Sequence, residues 1–117
     1  MKKGQLQVRS KIWVEMAGRP VLGPGRRELL RALDEQGSIS GAARSLRMTD
    51  RKAWGQIQAM EEEFGIPLVS KQTGGKDGGW ARLTPEARDL IARYDLLTEG
   101  VEEEVNEKFE NFFYGHR

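Results

Sequence analysis

Along "LQVRSKIWVEM", residues 6–16, apolar and polar positions alternate. Leu6, Val8, Ser10, Ile12, Val14 and Met16 fall on one face, and Gln7, Arg9, Lys11, Trp13 and Glu15 on the other. A period of two predicts a half-buried strand. The turn residues "AGRP" and the apolar pair "VL" then predict a short return strand, so residues 1–22 should form an N-terminal β-hairpin. The period changes after that. Leu29, Leu30 and Leu33 recur at helical spacing, with Gly37 placed to end a helix from about Arg26 to Gln36. Ile39, Ala42, Ala43 and Leu46 follow at i, i+3, i+4 and i+7, and Ser38 stands where it can cap their first turn. Only Arg47 and Met48 separate this stripe from Thr49, a second capping residue. Ala53, Ile57, Met60 and Phe64 then predict a helix over Asp50 to Phe64.

At about 100° per residue, the face of this third helix opposite its apolar stripe holds Arg51, Gly55, Gln58, Ala59 and Glu62, with Lys52 at its edge. That face has no apolar bulk and carries cations in its first turn. Two helices joined by so short a turn, the second with such a face, match a helix-turn-helix. A strand at Pro67–Ser70, the loop "KQTGGKDGG" and a second strand at "WARL" supply a Gly-rich basic hairpin, the wing of a winged helix-turn-helix. Thr84 and Pro85 open a last helix whose apolar positions recur every three or four residues to the end, with Gly100 a weak point or kink. It is too long for so small a domain to cover. Leu90, Tyr94, Leu97, Val101 and Val105 are therefore expected at a homodimer seam. The fold class is mostly α with small β: one winged helix-turn-helix domain over residues 1–117, with hairpin 1–22, DNA-binding core and wing 25–83, and long dimerisation helix 84–114.

Composition narrows the chemistry. There is no cysteine, and the single histidine, His116, lies beside the C-terminus, which removes thiol nucleophiles and most metal sites; no cofactor, metal or catalytic residue is expected. No apolar run approaches the roughly 18 residues of a membrane helix, so a cytoplasmic location away from membranes is expected. The net charge of +1 conceals a polarised molecule: residues 1–33 carry eight cations against two acids, residues 84–114 nine acids against three cations. The acidic runs at 61–63 and 102–104 read as solvated helix faces. Trp54 reads as a half-buried packing residue, Trp80 as closing the wing, and Trp13 as covered by the terminal helix or a partner chain. "TGGKDGG" is not a nucleotide-binding loop, because it lacks the order G-x-x-x-x-G-K-[ST] and leads into a strand.

The expected partner is double-stranded DNA at a palindromic site. Candidate contacts are Ser38, Ser40, Thr49, Asp50, Arg51, Lys52, Gly55 and Gln58 on the two helices, and Lys71, Thr73, Gly74, Gly75 and Lys76 on the wing. Arg51 and Lys52 suit either guanine edges or phosphates. A winged helix that docks a protein instead would show the same apolar pattern, with a partner regulator or RNA polymerase as the contact.

"GSISGAARSLRMTDRKAWGQIQAM", "TGGKDGGWARLTPEARDLI" and "YDLL" together resemble the N-terminal DNA-binding domain of the ModE-type, molybdate-responsive transcriptional regulators, relatives of the LysR-type winged helix-turn-helix. The resemblance spans Arg26 to about Val105. It implies a homodimer joined through the N-terminal strand segment and the long terminal helix, the second helix of the motif in the major groove and the wing against the backbone. Regulators of this type continue into oxyanion-binding domains. This chain has only "YGHR" after Phe113, so molybdate binding by the chain itself is not expected. Arg47 stands in the turn where the family commonly has glycine, at a cost of roughly 1 kcal/mol if the position needs φ > 0.

Overall fold

Capping residues set the helix boundaries. The computed structural model describes residues 4–73 and 79–115. Helix α1 (Pro24–Gln36) opens on Pro24, which loses no amide partner in a first turn, and stops at Gly37. That glycine has a left-handed backbone (φ 75°) and donates its N–H to the Leu33 carbonyl at 2.9 Å. Ser38 Oγ accepts the Gly41 N–H at 2.9 Å and starts α2 (Ile39–Ser45); Thr49 Oγ1 accepts the Lys52 N–H at 3.1 Å and starts α3 (Asp50–Phe64). Leu29, Leu30 and Leu33 of α1, Ala42 and Ala43 of α2, and Ala53, Ile57 and Met60 of α3 share one buried core. Each large side chain there contributes about 2 kcal/mol by leaving water. Two alanines on the α2 face let its backbone sit close to its neighbours.

Two antiparallel hairpins attach to this core. In the first, β1 (Val14–Met16) pairs with β2 (Arg19–Leu22), whose Val21 and Leu22 are buried. In the second, β3 (Val69–Thr73) pairs with β4 (Gly79–Leu83) from Val69 opposite Leu83 to Thr73 opposite Gly79. The Ala81 N–H of β4 bonds the Gly37 carbonyl at 2.9 Å and fixes this hairpin to the end of α1. Strand β3 starts two residues later than the apolar run suggested. The Leu68 and Val69 amides both donate to Glu61 Oε2, at 2.8 and 3.1 Å, ahead of the ladder. The run at 61–63 is therefore not a solvated face, since Glu61 holds the strand entry and Glu63 accepts from Arg26 at 2.8 Å, leaving only Glu62 exposed.

The expected strand over residues 6–16 forms only at its end. β2 has four residues and cannot pair with eleven, so residues 6–13 lie outside the ladder. The Ile12 carbonyl accepts from Tyr94 Oη at 2.7 Å, and the Leu6 N–H donates to Tyr114 Oη at 3.2 Å. The C-terminal helix breaks at the expected glycine. α4 (Pro85–Thr98) and α5 (Val101–Phe113) meet at Gly100, whose φ of 77° no helix can contain. Two bidentate pairs clasp α4 to α1: Arg27 with Asp95, both contacts 2.9 Å, and Arg88 with Asp34 at 3.0 and 2.8 Å. Helix α5 has no buried residue and projects from the core, so the molecule measures 62 × 29 × 21 Å.

Candidate nucleic-acid interface

The α2–α3 turn is built by backbone rather than side chains. Arg47 sits at φ 57°, the conformation expected of a glycine position, and the Met48 N–H returns to the Ala43 carbonyl at 2.9 Å. This bond sets the start of α3 directly after α2. Arg51, Lys52, Gly55, Gln58 and Glu62 are all exposed on α3, opposite the buried Ala53, Ile57 and Met60. A β-carbon on Gly55 would meet nothing within 4 Å, so no intrachain packing demands a glycine there.

The cations fall into a paired and an unpaired set. Arg26, Arg27, Arg88, Arg93 and Lys108 form ion pairs. Among the described residues, Arg44, Arg47, Arg51, Lys52 and Lys71 form none, and all five are exposed. These five follow the end of α2, the turn, the first turn of α3 and the base of the second hairpin. Arg9, Lys11, Arg19, Arg31 and Arg82 are likewise exposed and form no ion pair among the described residues, so the unpaired cations extend to the N-terminal segment, α1 and β4 as well. Lys71 Nζ lies 3.9 Å from the centre of the Trp54 ring, so a cation–π contact joins β3 to the flank of α3. Trp54 is half buried, as its position on the helix predicts. Trp80 is half buried on β4, with the Arg82 guanidinium 4.6 Å from its ring.

Several candidates already have partners. Ser38 and Thr49 spend their oxygens as caps, and Ser40 Oγ donates to Asp50 Oδ2 at 2.5 Å, which ties the two helices of the motif together. Ser38 is half buried, while Ser40, Thr49 and Asp50 are exposed. Thr73 ends β3; Gly74, Gly75 and Lys76 lie outside the described residues. Of the expected dimer-seam residues, Tyr94 belongs to the chain's own core and Leu90 packs against it. Burial raises the Tyr94 phenol pKa. Val101 and Val105 are half buried, and Leu97 is 54% exposed. Trp13 is not covered by the terminal helix: it is 47% exposed, donates to Glu15 Oε2 at 2.7 Å, and its Cβ lies 3.1 Å from where a Gly23 β-carbon would stand.

Sequence reasoning missed two groups on this side of the molecule. Gln56 accepts from Arg26 Nε at 2.8 Å and fixes α1 against α3. Lys11 and Arg19 line an open groove together with Lys52. The excess of cations in residues 1–33 was the available signal, but only the fold assigns it a place.

Residues 26–88 match the lysR family of bacterial regulatory helix-turn-helix proteins. The match covers more than half of the chain, and the chain belongs to that family. Its fold is the winged helix-turn-helix of DNA-binding regulators. Among its relatives, it is 42% identical over 80 residues to the molybdenum-pterin-binding protein MopB of Rhodobacter capsulatus, an alignment covering 68% of this chain and 30% of that one. It is 38% identical over 76 residues to the transcriptional regulator ModE of Haemophilus influenzae, covering 65% and 30%. The chain thus spans about 30% of the length of these curated relatives. The BenM DNA-binding domain, solved in complex with its catB site 1 DNA, superposes with a TM-score of 0.58 at 25% identity, covering 80% of this chain and 95% of that one. No helix among the described residues is long and apolar enough to cross a membrane.

Proposed function

We propose that this chain acts in the cytoplasm as a homodimer that places α3 in the major groove of a palindromic DNA site and its second hairpin against the backbone, in regulation tied to molybdenum. One observation carries the reading of the site: the exposed Arg44, Arg47, Arg51 and Lys52, which have no ion-pair partner among the described residues, stand at the turn and first turn of an α3 whose outer face is open at Gly55. The link to molybdenum rests on the names of the relatives, MopB and ModE. The exposed apolar residues Leu96, Leu97, Phe112 and Phe113 on α4 and α5 support a second copy as the partner.

Roles within the site follow from position. Arg51, at the centre of the outer face, suits a guanine edge, where a bidentate contact is worth about 1–3 kcal/mol of discrimination. Lys71 and Lys76 suit phosphates, and each should contribute about 0.9 to the slope of log K against log salt. Arg51→Ala should relax preference at particular base pairs, while Lys76→Ala should weaken specific and random duplexes alike and flatten the slope. Titrating both variants against a selected site and random DNA at several salt concentrations tests this; equal losses on both DNAs for Arg51→Ala would make Arg51 a phosphate contact. Mapping the bound sites in the genome tests the biological link, with sites expected beside genes of molybdate uptake or use. The unpaired cations sit on open surface rather than in the shielded pocket an oxyanion needs. Calorimetry of this chain with molybdate should therefore show no saturable micromolar site.

A further inference from the structure

Helix α3 lies between two hairpins. At about 100° per residue, Trp54 and Glu61 fall on one flank and engage β3 through Lys71 and the Leu68 and Val69 amides. Lys52, Gln56 and Glu63 fall on the other flank and line an open groove of about 970 Å³ whose far wall is the β1–β2 hairpin, with Arg19, and the segment leading into it, with Lys11 and Trp13. The charges in this groove do not cancel. Glu63 is paired with Arg26, and Glu15, which accepts the Trp13 indole N–H, keeps its charge, so the lining still holds an excess of cations: Lys11, Arg19 and Lys52, none with an ion-pair partner among the described residues, against Glu15. The hairpin is also held rigidly. Its root, Val21 and Leu22, is buried, and its two-residue turn puts Ala17 (φ 51°) and Gly18 (φ 80°) in the left-handed region that a tight antiparallel turn requires.

The geometry of a duplex gives this arrangement a consequence. A major groove is about 12 Å wide and bounded by two phosphate backbones, and a helix with its side chains is about 10–12 Å across. An α3 seated in the groove fills it, so the elements on its two flanks face the two backbones. The β3–β4 wing meets one. We propose that the β1–β2 hairpin, with the segment leading into it, is a second wing, and that Lys11 of that segment and Arg19 of β2, with Lys52 at the groove edge, hold the opposite phosphate backbone. The hairpin lies outside the stretch that matches the family, residues 26–88, so this contact would extend the footprint beyond the shared helix-turn-helix. The inference rests on the proposal that α3 reads duplex DNA.

The test compares the full chain with the double variant Lys11→Ala/Arg19→Ala on one selected duplex, by affinity across a salt series and by hydroxyl-radical footprinting. Two lost phosphate contacts should lower the salt slope by about 1.8, weaken binding at low salt roughly tenfold, and erase protection on the backbone opposite the wing while protection on the wing side persists. The charge-keeping pair Lys11→Arg/Arg19→Lys should restore slope and footprint, which a purely structural role of these side chains would not predict. An unchanged slope and footprint in the alanine variant overturns the second wing and leaves the reading of α3 intact. A wild-type chain that protects no duplex overturns both.

Discussion

Gly55 is the least economical residue in α3. A glycine inside a helix costs about 0.5–1 kcal/mol relative to alanine, and nothing in the chain lies close enough to need the space. In the proposed docking its smallness admits the duplex. Gly55→Ala should raise unfolding stability by about 0.5–1 kcal/mol in denaturant titrations while weakening duplex binding; a stabilised variant with unchanged affinity would falsify the view that DNA backbone or base comes close there. Arg47 is the converse case. It accepts a left-handed backbone at a position where glycine is unstrained, so Arg47→Gly should stabilise the fold by about 1 kcal/mol, read as a shift in denaturant midpoint with unchanged slope. Both residues stood out in the sequence, Gly55 on the outer face and Arg47 in a turn two residues long. The partners of Ser40, Gln56 and Glu61 did not, because those contacts join positions 7 to 30 residues apart whose proximity only the packed helices create.

At the scale of elements, periodicity located all three core helices, and capping residues set their ends. It overran where two alternatives share one pattern. Residues 6–13 alternate like a strand but are tied at Leu6, to the hydroxyl of Tyr114 just past α5, and at Ile12, to that of Tyr94 on α4, since alternation reports a half-covered face and not what covers it. The α1–α4 clasp was likewise illegible, its four charged residues being scattered over 27–95. Hydrogen bonds from the Arg27 guanidinium, opposed by burial and aided by its charge, hold the Asp95 carboxyl below the usual aspartate value of 3.8. A depressed folded-state value means that the stabilisation is complete above about pH 4 and is lost as pH falls through the folded value. Asp95 is 42% exposed, so the pair contributes about 1 kcal/mol or less. Asp95→Asn should lower stability by that amount at pH 7 and by nothing at pH 2, measured by urea unfolding at both. An equal deficit at the two pH values would mean that packing, not charge, is lost.

At the scale of the whole molecule, acidic residues concentrate on the arm that leaves the core and unpaired cations on the winged helix-turn-helix and the segment before it, so the two ends present opposite fields. The arm also carries apolar side chains that one copy leaves in water, Phe112 being 79% exposed. A pair of copies burying them should be found at tens of micromolar as a species of twice 13.2 kDa, with thermal stability that rises with protein concentration. The shape bears on how that mass must be obtained. A compact chain of this length has a radius of gyration of about 13 Å, whereas this one has 18.2 Å, the value of a compact globule of about 260 residues. Drag grows less steeply than the radius of gyration when a particle is elongated, but a single copy still diffuses more slowly and elutes earlier than a compact globule of its own length. An early gel-filtration peak would be the signature of the arm alone; only sedimentation equilibrium or light scattering, which weigh the particle rather than its drag, will count the copies.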